Sequence, residues 1–181
     1  MTPPDFINIS PKEFELIVYT YLKEIGSNLD KFEIFHNSIE ASYDGVFQID
    51  VKASFEALGT KITVLIECKN HKSPIKREVV QILKDKMQSL GAQKGIIFSS
   101  SKFQSGCIQY GEKHGIALVR LIEGKYTYET RSLNKDEQNI YYPPDLEKYV
   151  GQYIYDLSEA GFTRYNLSPG WTDGLLEFFQ K

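Results

Sequence analysis

The chain has 181 residues and a formal net charge of −3, with 41% hydrophobic and 25% charged side chains, the composition of an ordinary globular domain. No apolar run approaches the roughly 20 residues of a membrane span, and the N-terminal stretch lacks the basic and apolar regions of a signal peptide, so we expect a cytoplasmic protein without membrane contact. Cys68 and Cys107 lack the spacing of a zinc site or a disulfide framework.

The charges are unevenly distributed along the chain. Residues 1–68 carry 5 basic and 11 acidic side chains, residues 69–131 carry 12 and 5, and residues 132–181 carry 4 and 8. The net charge of the middle segment is therefore +7, although the whole chain is acidic. Such a segment suits a polyanion such as DNA, and on charge alone a solvated helix face rich in lysine is an equal alternative.

The first predicted element is a helix. Ser10-Pro11-Lys12-Glu13 is a capping box with proline at the first helical position, and Gly26 can end the helix. Its apolar side chains, which recur at intervals of three and four residues and form a core-facing stripe, are Phe14, Ile17, Val18, Tyr21, Leu22 and Ile25. Glu15 lies beside that stripe, where a glutamate is usually solvated, but it is also placed to reach a site at the edge of the core.

Strands are predicted next. A short strand over residues 32–36 is followed by turn chemistry over residues 37–45. Residues 47–56 and 62–69 then alternate apolar and polar side chains, which indicates two strands. The connection Leu58-Gly59-Thr60 is short and supplies a glycine for a positive φ, so these two strands are predicted to form a hairpin.

The hairpin places charged side chains within apolar strands. Glu67 and Lys69 share one face of the second strand, and strand pairing brings Asp50 near them. The apolar residues 64–66 indicate burial, which favours a functional site over a surface salt bridge. Buried carboxylates need a compensating partner, and a metal ion is the commonest one. Cys68 points to the opposite face, as a small buried core residue does.

The basic segment is predicted to contain a crossover. Residues 75–90 form an amphipathic helix that Gly91 can close, and residues 95–98 form a continuously apolar strand. This order indicates a βαβ unit in which the strand 95–98 pairs in parallel with the strand 62–69. The next predicted elements are a helix over 103–114 and strands over 116–122 and 125–128.

Hydroxyl and amide groups follow the apolar strand at Ser99-Ser100-Ser101-Lys102. They suit a phosphate group, and a helix N-cap at Ser101 is an equally good interpretation. The residues predicted to contact nucleic acid are Lys72, Lys76, Arg77, Lys84, Ser100, Ser101 and Lys102.

A second region is predicted after the core domain, which divides the chain into residues 1–132 and residues 133–181. The second region begins with a polar linker that contains Pro143-Pro144. A helix is predicted to follow, and its apolar side carries Leu146, Tyr149, Val150, Tyr153, Ile154 and Leu157. The tyrosines suit base stacking or an interface, and the acidic charge of the region favours packing or oligomerisation.

An aspartate followed by an acid-x-lysine pair suits the hydrolysis of a phosphodiester bond. Two carboxylates offer hard oxygen ligands to Mg²⁺, which keeps positions open for water and a phosphate oxygen. Lys69 is placed to orient or deprotonate the attacking water and to counter the charge that develops in the transition state. Desolvation and a nearby cation are expected to lower its pKa, which suits this task.

These motifs resemble the catalytic domain of Mrr-type restriction endonucleases, within the PD-(D/E)xK nuclease superfamily. The resemblance spans about residues 10–126. Its motifs are Phe14-Glu15, Asp44-Gly45, Gln48-Ile49-Asp50-Val51, Ile66-Glu67-Cys68-Lys69, Gly95 to Phe103, Gly115-Ile116 and Leu121-Ile122-Glu123-Gly124. One departure is Ile49, which stands where the superfamily pattern has proline.

The resemblance implies an α/β protein with a restriction-endonuclease-like core, in which helices flank a central mixed β-sheet, and we expect a small helical C-terminal extension beside it. The implied catalytic and metal-binding acids are Asp50, Glu67 and Glu15, and the implied catalytic lysine is Lys69. Gln81 on the crossover helix and His36 are accessory candidates, although surface or core positions are the commoner role for histidine. Mg²⁺ is the expected cofactor, and Mn²⁺ is expected to substitute for it.

The leading hypothesis is a metal-dependent endodeoxyribonuclease of a restriction or defence type, acting on DNA as a homodimer or higher homo-oligomer so that two sites cut two strands. A structure-specific, junction-resolvase-like nuclease and a non-catalytic nucleic-acid-binding or assembly module are the alternatives. Restriction enzymes of this type usually carry a separate DNA-recognition domain. The acidic tail does not resemble one, so a separate targeting protein is a further expectation.

Overall fold

The computed structural model describes residues 6–123, 148–156 and 162–167, together with Leu175 and Phe178. These residues include three helices and seven strands of one sheet. In chain order the elements are α1 Pro11–Ile25, β1 Glu33–Ser42, β2 Gly45–Ala57, β3 Thr60–Lys69, α2 Arg77–Leu90, β4 Lys94–Ser99, α3 Ser105–Lys113, β5 Ile116–Glu123, β6 Tyr149–Asp156 and β7 Phe162–Leu167. Within the described ranges, no helix combines the length and the apolar character that crossing a bilayer requires.

The sheet is mixed, and its strands lie side by side in chain order from β1 to β7. Pairing is antiparallel from β1 to β3, parallel from β3 to β5, and antiparallel again from β5 to β7. The two parallel steps run through α2 and α3, as parallel neighbours require. The predicted α/β class, the mixed sheet and the parallel crossover after β3 are therefore confirmed.

Helices cover both faces of the sheet. On one face, α1 buries Phe14 and Val18 in a core that includes Val51 of β2. On the other face, α2 buries Leu83 against a second core that includes Leu65 of β3. Adjacent residues of the central strands thus point into different cores, which explains their nearly continuous apolar sequence.

The predicted start of α1 is confirmed. The Ser10 side chain accepts a hydrogen bond from the Glu13 N–H at 3.2 Å, and the Glu13 carboxylate accepts one from the Ser10 N–H at 2.8 Å. This capping box satisfies backbone donors that the first turn of a helix leaves without intrahelical partners. It also fixes where the helix begins, and with it the position of Glu15.

The predicted hairpin of β2 and β3 is also confirmed. Its turn is Leu58-Gly59, and the pairing of Ala57 with Thr60 closes it. Leu58 and Gly59 have φ values of 51° and 75°. Positive φ at both positions is the type I′ geometry, whose twist matches that of the strands it joins.

The first strand is longer than predicted. β1 continues through most of the region expected to be a turn and pairs with β2 as far as Ser42 opposite Gly45. Asn37 has a φ of 53° within the strand, and its Oδ1 accepts a hydrogen bond from Gln48 Nε2 at 2.7 Å. Asparagine tolerates this left-handed conformation, so a residue typical of turns is accommodated inside β1.

The helix predicted over residues 146–157 is wrong, because residues 149–156 form strand β6. Val150 and Ile154 are buried and pair with β5. They are four residues apart, a spacing that fits one face of a helix and one face of a strand equally well. The aromatic and β-branched composition favours a strand, and β5 offers the edge with which it pairs.

The C-terminal extension is therefore not helical over residues 148–156 and 162–167, and β6 and β7 continue the sheet of the core. The predicted domain boundary near residue 132 and the strand predicted over 125–128 lie outside the described residues, and the division into two domains stays a prediction. Leu175 and Phe178 near the end of the chain are buried in the core on the α1 side of the sheet.

Candidate active site

The predicted acids meet where β2 and β3 separate. The two strands pair from the turn up to Val51 opposite Ile66. Beyond this point β2 continues beside β1, whereas Glu67 to Lys69 of β3 continue beside β4. We call the gap between Asp50 and Glu67 the strand fork.

Asp50 is held in the strand fork by the backbone of the neighbouring strand. Its Oδ2 accepts a hydrogen bond from the Cys68 N–H at 2.7 Å. Burial raises the pKa of Asp50, and the charge of Glu67 raises it further, while the Cys68 N–H and the charge of Lys69 oppose the rise. The two carboxylates are therefore close enough for the charge of Glu67 to affect the ionisation of Asp50.

Glu67 is the most enclosed of the predicted site acids, with 8% exposure. Lys69 Nζ donates to its Oε1 at 2.5 Å, and Lys86 Nζ donates to its Oε2 at 3.0 Å. Burial acts to raise the pKa of Glu67, but the hydrogen bonds and charges of the two lysines outweigh burial and lower it. Glu67 is thus ionised and paired on both oxygens.

The pKa of Lys69 is raised, whereas it was expected from the sequence to be lowered. Desolvation does act to lower its pKa, but the hydrogen bond and charge of Glu67, with the charge of Asp50, raise it. In this arrangement Lys69 is an ammonium group that donates to the carboxylate. Its chemistry is that of a positive hydrogen-bond donor.

Glu15 and His36 form a pair beside the strand fork. Glu15 Oε2 lies 3.1 Å from His36 Nε2, and both side chains are about three-quarters buried. The His36 ring also contacts the Tyr19 ring, with centroids 6.1 Å apart. The charge of Glu15 contributes to the raised pKa of Asp50, so Glu15 lies within electrostatic reach of the strand fork.

Cys68 occupies the position expected of a core residue. Burial raises the pKa of its thiol well above the usual value, and the charges of Asp50, Glu15 and Glu67 raise it further. A thiol in these surroundings stays protonated and is a poor nucleophile.

Gln81 is not brought to this cluster. It is exposed on α2, five residues before Lys86 and therefore about 140° away from it around the helix. The prediction that it reaches the site from the crossover helix is not supported by this placement.

The basic residues predicted to contact nucleic acid are mostly exposed to solvent. Lys72, Lys76, Arg77 and Lys102 are exposed, and Lys84 is half-buried. Lys72 lies over the Phe6 ring and Arg77 over the Tyr110 ring, at 5.4 and 4.7 Å from the ring centroids. These five cations form the predicted DNA-binding set that follows β3 in the chain.

The prediction for Ser100 and Ser101 needs correction, because both are 1% exposed. Their hydroxyls donate to the carbonyls of His71 and Ser73, at 3.5 and 2.9 Å. Arg120, also buried, donates from Nε to the Ser100 carbonyl at 3.2 Å. These groups support the loop after β3 rather than a surface that a phosphate can reach.

The sequence interpretation missed Lys86. Its position on α2 contains a usable signal, because residues 79, 83, 86 and 90 share one face of a helix. Val79, Leu83 and Leu90 are apolar, so Lys86 is a charge within the sheet-facing stripe. A lysine at such a position indicates a buried acid on the neighbouring strand.

The atoms available to bind a metal ion at the strand fork are carboxylate oxygens, which are the ligands that Mg²⁺ and Mn²⁺ prefer. Among the residues that the structure describes, no three His, Cys, Asp or Glu side chains lie close enough to hold a metal ion together. The two carboxylates of Asp50 and Glu67 fit a cation that takes its other ligands from water and substrate, as Mg²⁺ commonly does. A cation bound there would offset the repulsion between the two acids.

The mixed sheet with its flanking helices is a restriction-endonuclease-like fold. A family model described as "Restriction endonuclease", the Mrr catalytic domain, matches residues 6–126. Because this match covers more than half of the chain, the chain belongs to the Mrr-type restriction endonuclease family. The family suggests a nuclease and implies DNA as the substrate.

A solved structure titled "Crystal Structure of Protein of Unknown Function AF1548" is similar in fold. The match has a TM-score of 0.50 and 24% sequence identity, and it covers 60% of this chain and 57% of that chain. The present chain thus spans little more than half the length of that protein. Among curated proteins, none matches the chain.

Proposed function

We propose that the protein is a metal-dependent endodeoxyribonuclease of a restriction or defence type. Asp50 and Glu67 bind Mg²⁺, for which Mn²⁺ substitutes, and Lys69 assists the attacking water. Glu15, which is paired with His36, acts as an accessory acid beside them. One observation carries the proposal: Asp50, Glu67 and Lys69 converge at the strand fork, with a 2.5 Å contact between Lys69 Nζ and Glu67 Oε1.

The reaction is the hydrolysis of a phosphodiester. The water loses one proton as a bond forms between its oxygen and phosphorus, the bond from phosphorus to one sugar oxygen breaks, and that sugar oxygen takes up one proton, so the net change is the addition of water across the bond. When bound, the metal ion supplies Lewis-acid stabilisation of the phosphate. Asp50 and Glu67 hold the cation, and the Lys69 ammonium donates hydrogen bonds that orient the water and offset the negative charge of the transition state.

DNA binding is proposed to use the exposed or half-buried cations that follow β3 in the chain. Each phosphate contact replaces condensed counterions, so these residues supply affinity without sequence preference. The residues proposed for this role are Lys72, Lys76, Arg77, Lys84 and Lys102. We further propose a homodimer or higher homo-oligomer, a separate targeting protein and a cytoplasmic location, the last supported by the free, buried thiols of Cys68 and Cys107.

Substitution of Lys69 tests the catalytic assignment. We expect Lys69→Ala to lower the cleavage rate by about 10³-fold, because it removes a charged donor that acts on the transition state. DNA affinity should change by less than about threefold, since one inward-facing lysine contributes little to the phosphate contacts. Plasmid cleavage and a fluorescence-anisotropy binding assay measure the two quantities.

Lys23→Ala is the matched control, because Lys23 is an exposed lysine on α1. It should behave like the wild type in both assays. Cleavage by Lys69→Ala at the wild-type rate contradicts the assignment. Comparing linear, nicked and branched duplexes in the same assay separates a restriction-type enzyme from a junction-resolvase-like one.

A further inference from the structure

Lys86 is a second lysine at Glu67, and it comes from a different element than Lys69 does. Lys69 on β3 donates to Oε1, whereas Lys86 on α2 donates to Oε2. Both oxygens of this carboxylate are therefore engaged by ammonium groups of the chain itself. A divalent cation that binds Glu67 has to share the carboxylate with these lysines or displace one of them.

Lys86 also spans the strand fork. Besides Glu67 on β3, its ammonium donates to the main-chain carbonyl of Gln48 on β2 at 3.3 Å. Backbone pairing between β2 and β3 ends at Val51 and Ile66. Lys86 thus links the two strands just where the backbone-to-backbone hydrogen bonds between them stop.

Stability alone is a poor explanation for this placement. The Lys86 side chain is 18% exposed, so holding its charge there carries a desolvation cost. Lys69 already pairs with Glu67, and a second ammonium group at the same carboxylate repels the first. Lys86 is also too enclosed to be an ordinary surface contact for DNA.

We propose that Lys86 is a positioning residue that acts as a built-in counter-ion for Glu67 and weakens the binding of a divalent cation by competing for that carboxylate. This inference rests on the proposed function, in which Asp50 and Glu67 bind the metal. Because Lys69 and Lys86 each fix one oxygen of Glu67, the carboxylate keeps a single orientation. Pre-set orientation of this kind is what a catalytic ligand needs.

Calorimetric titration of Mn²⁺ into the protein without DNA tests the proposal. Lys86→Met removes the charge and keeps the length of the side chain, and Lys86→Arg keeps the charge. We expect Lys86→Met to bind Mn²⁺ about three- to tenfold more tightly than the wild type, because one repelling charge is gone. Lys86→Arg and the surface control Lys23→Met should stay within about twofold of the wild type.

Cleavage supplies a second readout with the opposite sign. At saturating Mn²⁺, Lys86→Met should cut DNA about tenfold more slowly, because Glu67 has lost one of its two anchors. Lys86→Arg should restore most of the rate. If the substitution only loosened the structure of the site, we would not expect tighter Mn²⁺ binding together with slower cleavage.

Unchanged or weaker Mn²⁺ binding by Lys86→Met overturns the proposal. Lys86→Gln, whose amide can still donate to Glu67, is a second neutral variant with the same expected direction in case the methionine variant does not fold. Failure of the proposed function has a different signature, since the wild type itself then neither binds Mn²⁺ nor cuts DNA. A wild type that does both, beside neutral variants with unchanged affinity, leaves the nuclease proposal standing and removes only the role of Lys86.

Discussion

Two neighbouring carboxylates at the strand fork have opposite pKa shifts. Burial and the charge of Glu67 raise the pKa of Asp50, whereas the two lysines overcome burial and lower the pKa of Glu67. Glu67 holds its charge through Lys69 and Lys86, while Asp50 carries a charge that its surroundings disfavour. Such unequal environments are typical of functional sites, where a cation later compensates the disfavoured charge.

Asp50→Asn is expected to stabilise the folded protein at neutral pH. The amide oxygen can still accept the hydrogen bond from the Cys68 N–H, and the disfavoured charge is removed. The free energy of unfolding should rise by about 0.5–2 kcal/mol, the usual gain from a stabilising substitution. Urea denaturation of the wild type and the variant at about pH 7.5 measures it.

The pH dependence of this gain follows from the direction of the shift. A carboxyl group whose folded pKa is raised contributes stability that is fully present below its unfolded pKa and is lost as the pH rises through the folded pKa. The wild type has lost that contribution at neutral pH, and the asparagine variant has no such loss. The gain should therefore shrink as the pH falls from about 7.5 to about 3.9, the unperturbed pKa of aspartate, and an equal gain at both pH values contradicts the assignment to Asp50.

Side-chain alternation was enough to predict that Asp50, Glu67 and Lys69 come together, because strand pairing acts between residues close in the chain. Lys86 was missed because its contact with Glu67 depends on how α2 packs across the sheet. The contact between Glu15 and His36 was not predicted for the same reason, since it depends on where α1 packs against β1. Ser100 and Ser101 were misjudged because hydroxyls that suit a phosphate also suit the carbonyls of a neighbouring loop.

Among the elements, the β2–β3 hairpin sets the geometry of the strand fork. Its type I′ turn fixes the register of the two strands, and a slip of one residue would move Glu67 and Lys69 to the opposite face. The turn holds Leu58, a residue poorly suited to a positive φ, next to Gly59. The turn is therefore correct in geometry but not optimal in sequence.

Leu58→Asn is expected to stabilise the protein by about 0.5–1 kcal/mol, because asparagine tolerates the left-handed conformation and Asn-Gly is the preferred type I′ pair. Gly59→Ala is the matched opposite change at a position where nothing lies near an added Cβ. It should destabilise by about 1 kcal/mol through backbone strain alone. Urea midpoints of the two variants test this, and a loss of stability in Leu58→Asn contradicts the turn assignment.

The elements that were predicted correctly have signals within a few residues. The capping box of α1 and the Leu58-Gly59 turn are examples. β6 was mistaken for a helix because Val150 and Ile154 satisfy both periodicities, and the partner that decides between them is β5, far away in the chain. The prediction ended β1 too early because Asn37 is a residue typical of turns. In the structure, the pairing of β1 with β2 outweighs that local preference.

At the scale of the whole molecule, one sheet joins the nuclease core to the C-terminal strands. β5 pairs on its outer edge with β6, and β6 pairs with β7. Gly151 of β6 approaches Tyr21 of α1 closely, since an added Cβ would lie 3.0 Å from the Tyr21 hydroxyl. The two described strands of the acidic tail are thus part of the sheet that carries the site, and the basic segment between the acidic parts of the chain carries the proposed DNA contacts.

Metal-dependent DNA cleavage at the strand fork is the central claim, and plasmid cleavage tests it most directly. Supercoiled plasmid is incubated with the wild type in Mg²⁺, with the wild type in EDTA, and with Asp50→Asn in Mg²⁺. The account predicts nicked and linear products in the first reaction, none in the second, and a rate at least about 10³-fold lower in the third although the variant is folded. Cleavage in EDTA, or by Asp50→Asn at the wild-type rate, would contradict it.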